Sequence, residues 1–404
     1  SYSVTGVQTC ALPISADTPT EAVLEWLARD MPALSVREYQ VVRTAQKDSP
    51  PPGLISDRIE NEFYSIVVDT LTGDLVSLFD KKLRQELLQG RGNEIVAEQE
   101  KNPDLEGVMY LTGTEWRSRE YRTTVCRVER DALATRLLCH SSFKECRIER
   151  TVSLPDHMAR VDFHTRIVDF SGGDLFFKTS FALKMDTANI KRTYETAFAA
   201  TSCQQGYVGA QTWVDYSDGH YGLALLNRGL PGYWLQDERL ELVLLRTFSN
   251  YTNYQRSGLK RKVPGYESST QTELAREHGT HEFEYCLVSH AGSWQKGNLM
   301  ALGQSYNIPM ITVLDRTLPS AALVSFTPDF IMTALKRSQD GKSVVVRGFE
   351  TSGRPHKVRM TLLPAIRQVL KTNLLEEHPQ ELAIKDNHVE FACAPFEIVT
   401  FCLQ

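Results

Sequence analysis

Phe63-Tyr64-Ser65-Ile66-Val67-Val68, then Asp69-Thr70-Leu71-Thr72-Gly73-Asp74, then Leu75-Val76-Ser77-Leu78-Phe79 is the stretch on which the fold turns. Two β-rich runs flank a cluster of turn formers, because Asp and Thr side chains bond to nearby main chain and Gly tolerates positive φ. The stretch predicts a β-hairpin. The same grammar repeats downstream to about Ile308, with strands expected over Met158 to Ile167, Leu175 to Leu183, Tyr221 to Leu226, Leu240 to Leu245 and Glu282 to Val288. Clusters of Gly, Asp, Asn or Pro separate these runs, Gly172-Gly173 among them, and convincing long amphipathic helices are scarce. Many short strands at such spacing indicate sandwiches or barrels. Beyond Ala321, Ser343 to Phe349, Lys357 to Leu363 and Phe396 to Leu403 read as strands, with Ser352-Gly353-Arg354-Pro355 as a turn.

Upstream of the hairpin, Val36 to Val42 alternates well enough to be a strand, and Asp48-Ser49-Pro50-Pro51-Pro52-Gly53 marks a boundary because proline fixes φ and removes a donor. The expected organisation is therefore all-β. Residues 16–52 would be the end of a small β-domain and a linker, 53–308 a large β-sandwich and 309–404 a smaller C-terminal β-sandwich. Val4-Thr5-Gly6-Val7-Gln8-Thr9-Cys10-Ala11-Leu12-Pro13-Ile14 is similar to the in-frame translation of a widely used sequencing adapter. Residues 1–15 are accordingly expected to be an artefact that packs poorly, with the natural chain continuing upstream of it.

The 404 residues are 24% charged and 42% hydrophobic with a net charge of −5, an ordinary globular composition. Acidic and basic residues are interspersed, so there is no basic stripe for nucleic acid, and no apolar run approaches the roughly 20 residues of a membrane-spanning helix. The eight cysteines, Cys10, Cys126, Cys139, Cys146, Cys203, Cys286, Cys393 and Cys402, include no Cys-x-x-Cys pair. They read as reduced, mostly buried thiols of a reducing compartment such as the cytoplasm.

No nucleophile elbow, phosphate loop or dinucleotide fingerprint is present. Asp215 and Asp218 in Trp213-Val214-Asp215-Tyr216-Ser217-Asp218-Gly219 read as turn residues. His278, His281 and His290 could in principle ligate zinc with Glu282, but their spacing matches no zinc motif, and they read as structural. Trp213, Tyr216, Tyr221, Tyr233 and Trp234 read as core, although such rings also stack on sugar faces. The residues alone assign no catalytic group.

Several segments in order resemble the C-terminal region of glycoside hydrolase family 38, the retaining α-mannosidases. Arg58-Ile59-Glu60-Asn61-Glu62-Phe63-Tyr64 with Thr72-Gly73, Leu75, Ser77-Leu78 and Asp80-Lys81-Lys82 resembles the family's Leu-Glu-Asn-Glu-Phe-Tyr opening and its continuation. Met31-Pro32-Ala33-Leu34 is similar to the segment just upstream of that opening. Asp215 to Gly219, Gly222 to Pro231 and Leu242 to Arg246 resemble its middle strands, and Pro395 to Thr400 its closing strand. His281-Glu282-Phe283-Glu284-Tyr285 with His290-Ala291-Gly292-Ser293-Trp294 resembles its His-x-Phe-x-Tyr and Pro-His-x-Gly-x-Trp segment, with Ser289 in place of the proline. The resemblance spans about Met31 to Gln404. It implies a large mutarotase-like β-sandwich, of the supersandwich type, with smaller β-sandwich elements. The parent would hydrolyse α-mannosidic bonds in mannose-containing carbohydrates, with its zinc and nucleophile on an N-terminal barrel that this chain lacks. The fragment would then bind no metal and be catalytically silent. Tyr194, in Thr193-Tyr194-Glu195-Thr196, resembles a tyrosine that reaches the bound mannose in some members. Two other readings are a stand-alone carbohydrate-binding module and a mutarotase-like sugar epimerase.

Overall fold

The computed structural model describes residues 3–13, 21–32, 36–39, 56–101, 110–248, 273–311 and 322–404. Among these the chain is nearly all antiparallel β, with a single α-helix at Leu299–Asn307. Contacts divide it into two compact units, one of Asp48–Tyr194 and Ser202–Leu299, the other of Ser1–Lys47, Glu195–Thr201 and Met300–Gln404.

The hairpin forms as its residues predict. Tyr64–Val68 pairs with Leu75–Asp80 from Tyr64 opposite Asp80 to Val68 opposite Leu75. Asp69 makes the turn: its carbonyl accepts from Thr72 at 3.1 Å and Gly73 at 2.7 Å, and its carboxylate accepts from Leu71 N–H at 3.0 Å. Gly73 takes φ +76° and lies close against the Arg150 guanidinium, so a side chain there would meet both backbone strain and a clash.

Around it stand two large sheets. One runs Ala199–Cys203, Lys191–Thr196, Trp213–Ser217, Tyr221–Asn227, Gly279–Ala291, Val161–Phe170, Cys146–Pro155, Ala134–Phe143, Thr123–Arg130 in spatial order, nine strands in all. The other has six: Gly206–Gly209, Gly232–Leu235, Arg239–Arg246, Leu175–Ala182, Glu94–Lys101 and Tyr110–Arg117. Gly279–Ala291 sits mid-sheet, hydrogen-bonded to Val161–Phe170 on one side and Tyr221–Asn227 on the other. Period-two burial is clear in Val161–Phe170, where Val161, Phe163, Thr165 and Ile167 point inward. Phe143, Phe163, Phe177, Phe181 and Tyr285 fill the space between the sheets. That core also holds an ion pair. Arg150 Nη1 donates to Asp74 Oδ1 at 2.7 Å and to the Asn93 carbonyl at 2.8 Å, while Ser118 Oγ donates to the same carboxylate at 2.6 Å. Arg91 Nη1 donates to the second Asp74 oxygen at 3.2 Å.

In the other unit, Val324–Phe326, His356–Leu362 and His388–Cys393 form a three-stranded sheet, and Phe330–Arg337, Val344–Glu350, Ile398–Leu403, Val369–Thr372 and Gln380–Leu382 a five-stranded one. Val346, Val358, Met360 and Phe401 are the centre of their shared core. The buried Glu350 carboxylate accepts from Ser352 N–H at 2.6 Å, Gly353 N–H at 2.9 Å and Phe396 N–H at 2.8 Å, which fixes the expected turn at Ser352 to Pro355.

Two expectations change. Val36–Tyr39 is exposed and not a strand, so alternation there does not track burial; Gln40 to Val42 lie outside the described residues. Ser3–Pro13 pairs antiparallel with Glu21–Pro32; how its side chains pack, and Ile14, lie outside the described residues. Cys126 and Cys139 face each other on neighbouring strands and are joined as a disulfide. Cys146, Cys203, Cys286, Cys393 and Cys402 remain thiols.

Candidate functional site

Tyr194 lies on Lys191–Thr196, opposite Val214, half-buried with its ring against the large hydrophobic core. Two residues earlier on the same face, Arg192 is buried and works as an anchor. Its Nε donates to the Gln236 carbonyl at 2.8 Å and its Nη2 to the Asp237 carbonyl at 2.6 Å. The guanidinium lies 5.3 Å from the centre of the Tyr216 ring, whose hydroxyl donates to Gln236 O at 2.9 Å and Arg239 O at 3.1 Å. Burial pushes the Tyr216 phenol well up, so it stays a donor.

The other face of these strands carries a buried acid and base. Asp215 is fully buried in Trp213–Ser217, not in a turn as the sequence suggested, and its Oδ1 lies 2.8 Å from His290 Nε2. Asp218 does serve as the turn residue, accepting from His220 N–H at 2.9 Å and Tyr221 N–H at 3.2 Å. The dyad spans a strand: His290 pairs with Gly222, and its imidazole crosses that glycine to reach Asp215 on the far side. A Cβ on Gly222 would collide with the imidazole, and one on Gly297 would come within 2.7 Å of His290 Cγ. Trp294 packs beside Trp213, ring centres 5.6 Å apart, and Trp213 is wholly buried. Burial raises the Asp215 carboxyl above its usual range, against the hydrogen bond and charge of His290. An Asp-His pair can pass a proton, but with Asp215 at 0% and His290 at 7% exposure this one acts as a clasp between strands. The glycine inside a strand was the available sequence signal, since such a residue often marks a close approach.

The three histidines considered for zinc do not converge. His278 Nε2 lies 2.9 Å from Gly172 O and His281 Nε2 2.7 Å from Glu277 O, far from the His290 clasp in their bonding. Among the described residues no three His, Cys, Asp or Glu side chains gather as a metal would require. Of the five aromatics, Trp213, Tyr216, Tyr221 and Tyr233 are core, as read; Trp234 alone is half-exposed, with Tyr207 packed on it at 3.9 Å between ring centres.

The proline expected at position 289 has a local substitute. Ser289 N–H donates to Tyr64 Oη at 3.3 Å, and the Ser289 hydroxyl bonds both Tyr64 Oη, at 2.8 Å, and Asp80 Oδ2. The hairpin is thereby tied to the central strand.

The sequence matches the glycosyl hydrolases family 38 C-terminal domain over residues 59–251 and the glycosyl hydrolases family 38 C-terminal beta sandwich domain over residues 329–401. It is 25% identical to human Alpha-mannosidase 2C1 over 276 residues, 64% of this chain and 24% of that protein. Alpha-mannosidase G of Dictyostelium discoideum is likewise 25% identical over 278 residues, 63% of this chain and 23% of that one. The fold is similar to that of an alpha-mannosidase from Enterococcus faecalis V583, with a TM-score of 0.73 at 15% identity, covering 99% of this chain and 49% of the other. The chain thus spans about a quarter of the length of these curated relatives and about half of the solved one. Two family matches in chain order, one over most of the large sandwich and one over the small, place the chain in glycosyl hydrolases family 38 as its C-terminal region.

Proposed function

We propose that this chain is the β-sandwich half of a retaining, zinc-dependent alpha-mannosidase, and that the whole protein hydrolyses α-mannosidic bonds in mannose-containing carbohydrates. The observation that carries the reading is the pair of ordered family matches together with relatives that bear the name alpha-mannosidase. Retaining hydrolysis needs two carboxyl groups roughly 5 Å apart on either side of the scissile bond. Asp215, one of several buried acids of the large sandwich, is clasped by His290 and closed to a sugar, and the nucleophile and metal are assigned to the catalytic barrel of the parent. This chain alone is then silent, and its part is to support the barrel and present a sugar contact. Tyr194 is the proposed contact, since a phenol both donates to and accepts from a sugar hydroxyl and Arg192 holds its strand in place two residues away.

The test is an aryl α-mannoside assay of the purified 404-residue chain with and without added zinc. No turnover is expected in either case. Turnover that a chelator abolishes would overturn the assignment of the chemistry to the parent's barrel. In a family 38 enzyme carrying this region as its C-terminal half, Tyr194→Phe should raise KM several-fold with kcat little changed.

A further inference from the structure

The turn that Arg192 and Tyr216 hold is one wall of a surface cleft. Trp234, Gln205, Gln236, Asp237, Glu238 and Arg239 line it, with a volume of about 470 Å³, inside the range of small-molecule sites. Its rim is built by packing within the large sandwich. The strand Gly206–Gly209 pairs with Gly232–Leu235 so that Tyr207 stands opposite Trp234, and Phe176 meets Tyr207 edge-on at 6.0 Å. Trp234 therefore keeps one orientation at the cleft. The Gln236–Arg239 turn that follows it is held by three carbonyls: those of Gln236 and Asp237 accept from the buried Arg192, and those of Gln236 and Arg239 from Tyr216. Gln205 donates to the Asp237 carboxylate across the opening, and Arg239 Nη1 reaches Ser180 Oγ at 3.4 Å.

These groups have a common chemistry. An indole offers a flat apolar surface, the three amides of Gln89, Gln205 and Gln236 both donate and accept, the carboxylates of Asp237 and Glu238 accept, and Arg239 donates. An anion would face two carboxylates there, and a cation would face the Arg239 guanidinium. A ligand with one apolar C–H face, a girdle of hydroxyls and no charge meets every wall. We propose that this cleft binds an uncharged saccharide, one or two pyranose units deep, stacked on Trp234 with its hydroxyls on Gln205 and the Gln236–Arg239 turn.

The proposal stands on the cleft alone and needs no turnover, so it fails or survives independently of the mannosidase assignment. Saturation-transfer NMR and titration calorimetry of the full chain with linear α-mannotriose, and with maltotriose as a second uncharged probe, test it. At least one trisaccharide is expected to bind. Trp234→Ala should weaken that binding at least tenfold, Trp234→Phe less, and Gln205→Ala, an exposed side chain whose loss leaves the core intact, about threefold or more. Equal urea midpoints for the variants and the parent exclude misfolding as the cause. Absence of binding to both sugars, or binding unchanged in both Trp234→Ala and Gln205→Ala, overturns the proposal.

Discussion

Two buried carboxylates in the large sandwich are handled in opposite ways. Asp74, between the sheets, meets Arg150 and Ser118 on one oxygen and Arg91 on the other. Asp215, on the far face of the nine-stranded sheet, is clasped by the single imidazole of His290. Taking a charge out of water costs several kcal/mol, and only a full set of charged or hydrogen-bonding partners offsets it. Asp74 has that set, and its group is a permanent fixture of the core. Asp215 does not, and burial raises its pKa.

The comparison predicts unequal costs of breaking the two pairs. Arg150→Met should cost most, about 3–5 kcal/mol, because it strands a buried carboxylate; urea unfolding reads it, and a loss under about 1 kcal/mol would show that Arg91 and Ser118 suffice for Asp74. Gly222→Ala should come next, at about 1–3 kcal/mol, since the new methyl drives His290 off Asp215. A crystal structure of that variant with the 2.8 Å contact intact would defeat the steric account. Ser289→Ala should cost about 1–1.5 kcal/mol by removing a hydroxyl that serves both Tyr64 and Asp80. Burial raises the Tyr64 phenol to about 12 while the bond to the Ser289 hydroxyl pulls it down, so a spectroscopic tyrosine titration of Ser289→Ala should show its apparent pKa rise.

Asp215→Asn should be the mildest change, within about 1 kcal/mol at neutral pH, because the amide keeps a hydrogen bond to His290 without the buried charge. Its signature is in the pH dependence. A carboxyl raised on folding contributes fully below its unfolded value near 4 and loses that contribution as pH climbs through the higher folded value. The parent should therefore lose stability relative to Asp215→Asn as pH rises from about 4, and parallel stability curves for the two proteins between pH 4 and 8 would refute the shift.

Much of the sheet structure was legible because local chemistry and tertiary demand agree. The Asp69 to Asp74 turn needs an aspartate acceptor and a positive-φ glycine, and both are written in adjacent residues. The strand expected from Met158 begins instead at Val161, because the turn at Asp156 and His157, where His157 takes φ +60°, uses up the intervening residues. Asp215 was misread for the opposite reason. Its neighbours Ser217, Asp218 and Gly219 have turn chemistry, while its partner His290 is 75 residues away. Strands buried on both faces, such as Trp213–Ser217 and Tyr221–Asn227, also lose the alternation that sequence reading relies on. The cleft was half visible: Trp234 stood among the candidate sugar-stacking aromatics, but Tyr207 beside it and the Arg192 brace depend on strand pairings that no local pattern encodes.

The central placement of Gly279–Ala291 has a consequence for how the protein is made. Four strands lie on one side of it and four on the other, and across the sheet only this late segment joins them. While the ribosome is still short of residue 279, Val161–Phe170 and Tyr221–Asn227 each present an open hydrogen-bonding edge on an apolar ribbon, the kind of edge that recruits foreign strands. Non-local pairing of this sort is slow to nucleate. The nascent chain thus passes through an interval in which its largest sheet exists as two unjoined halves, and that interval is where chaperone protection and inclusion-body formation would compete.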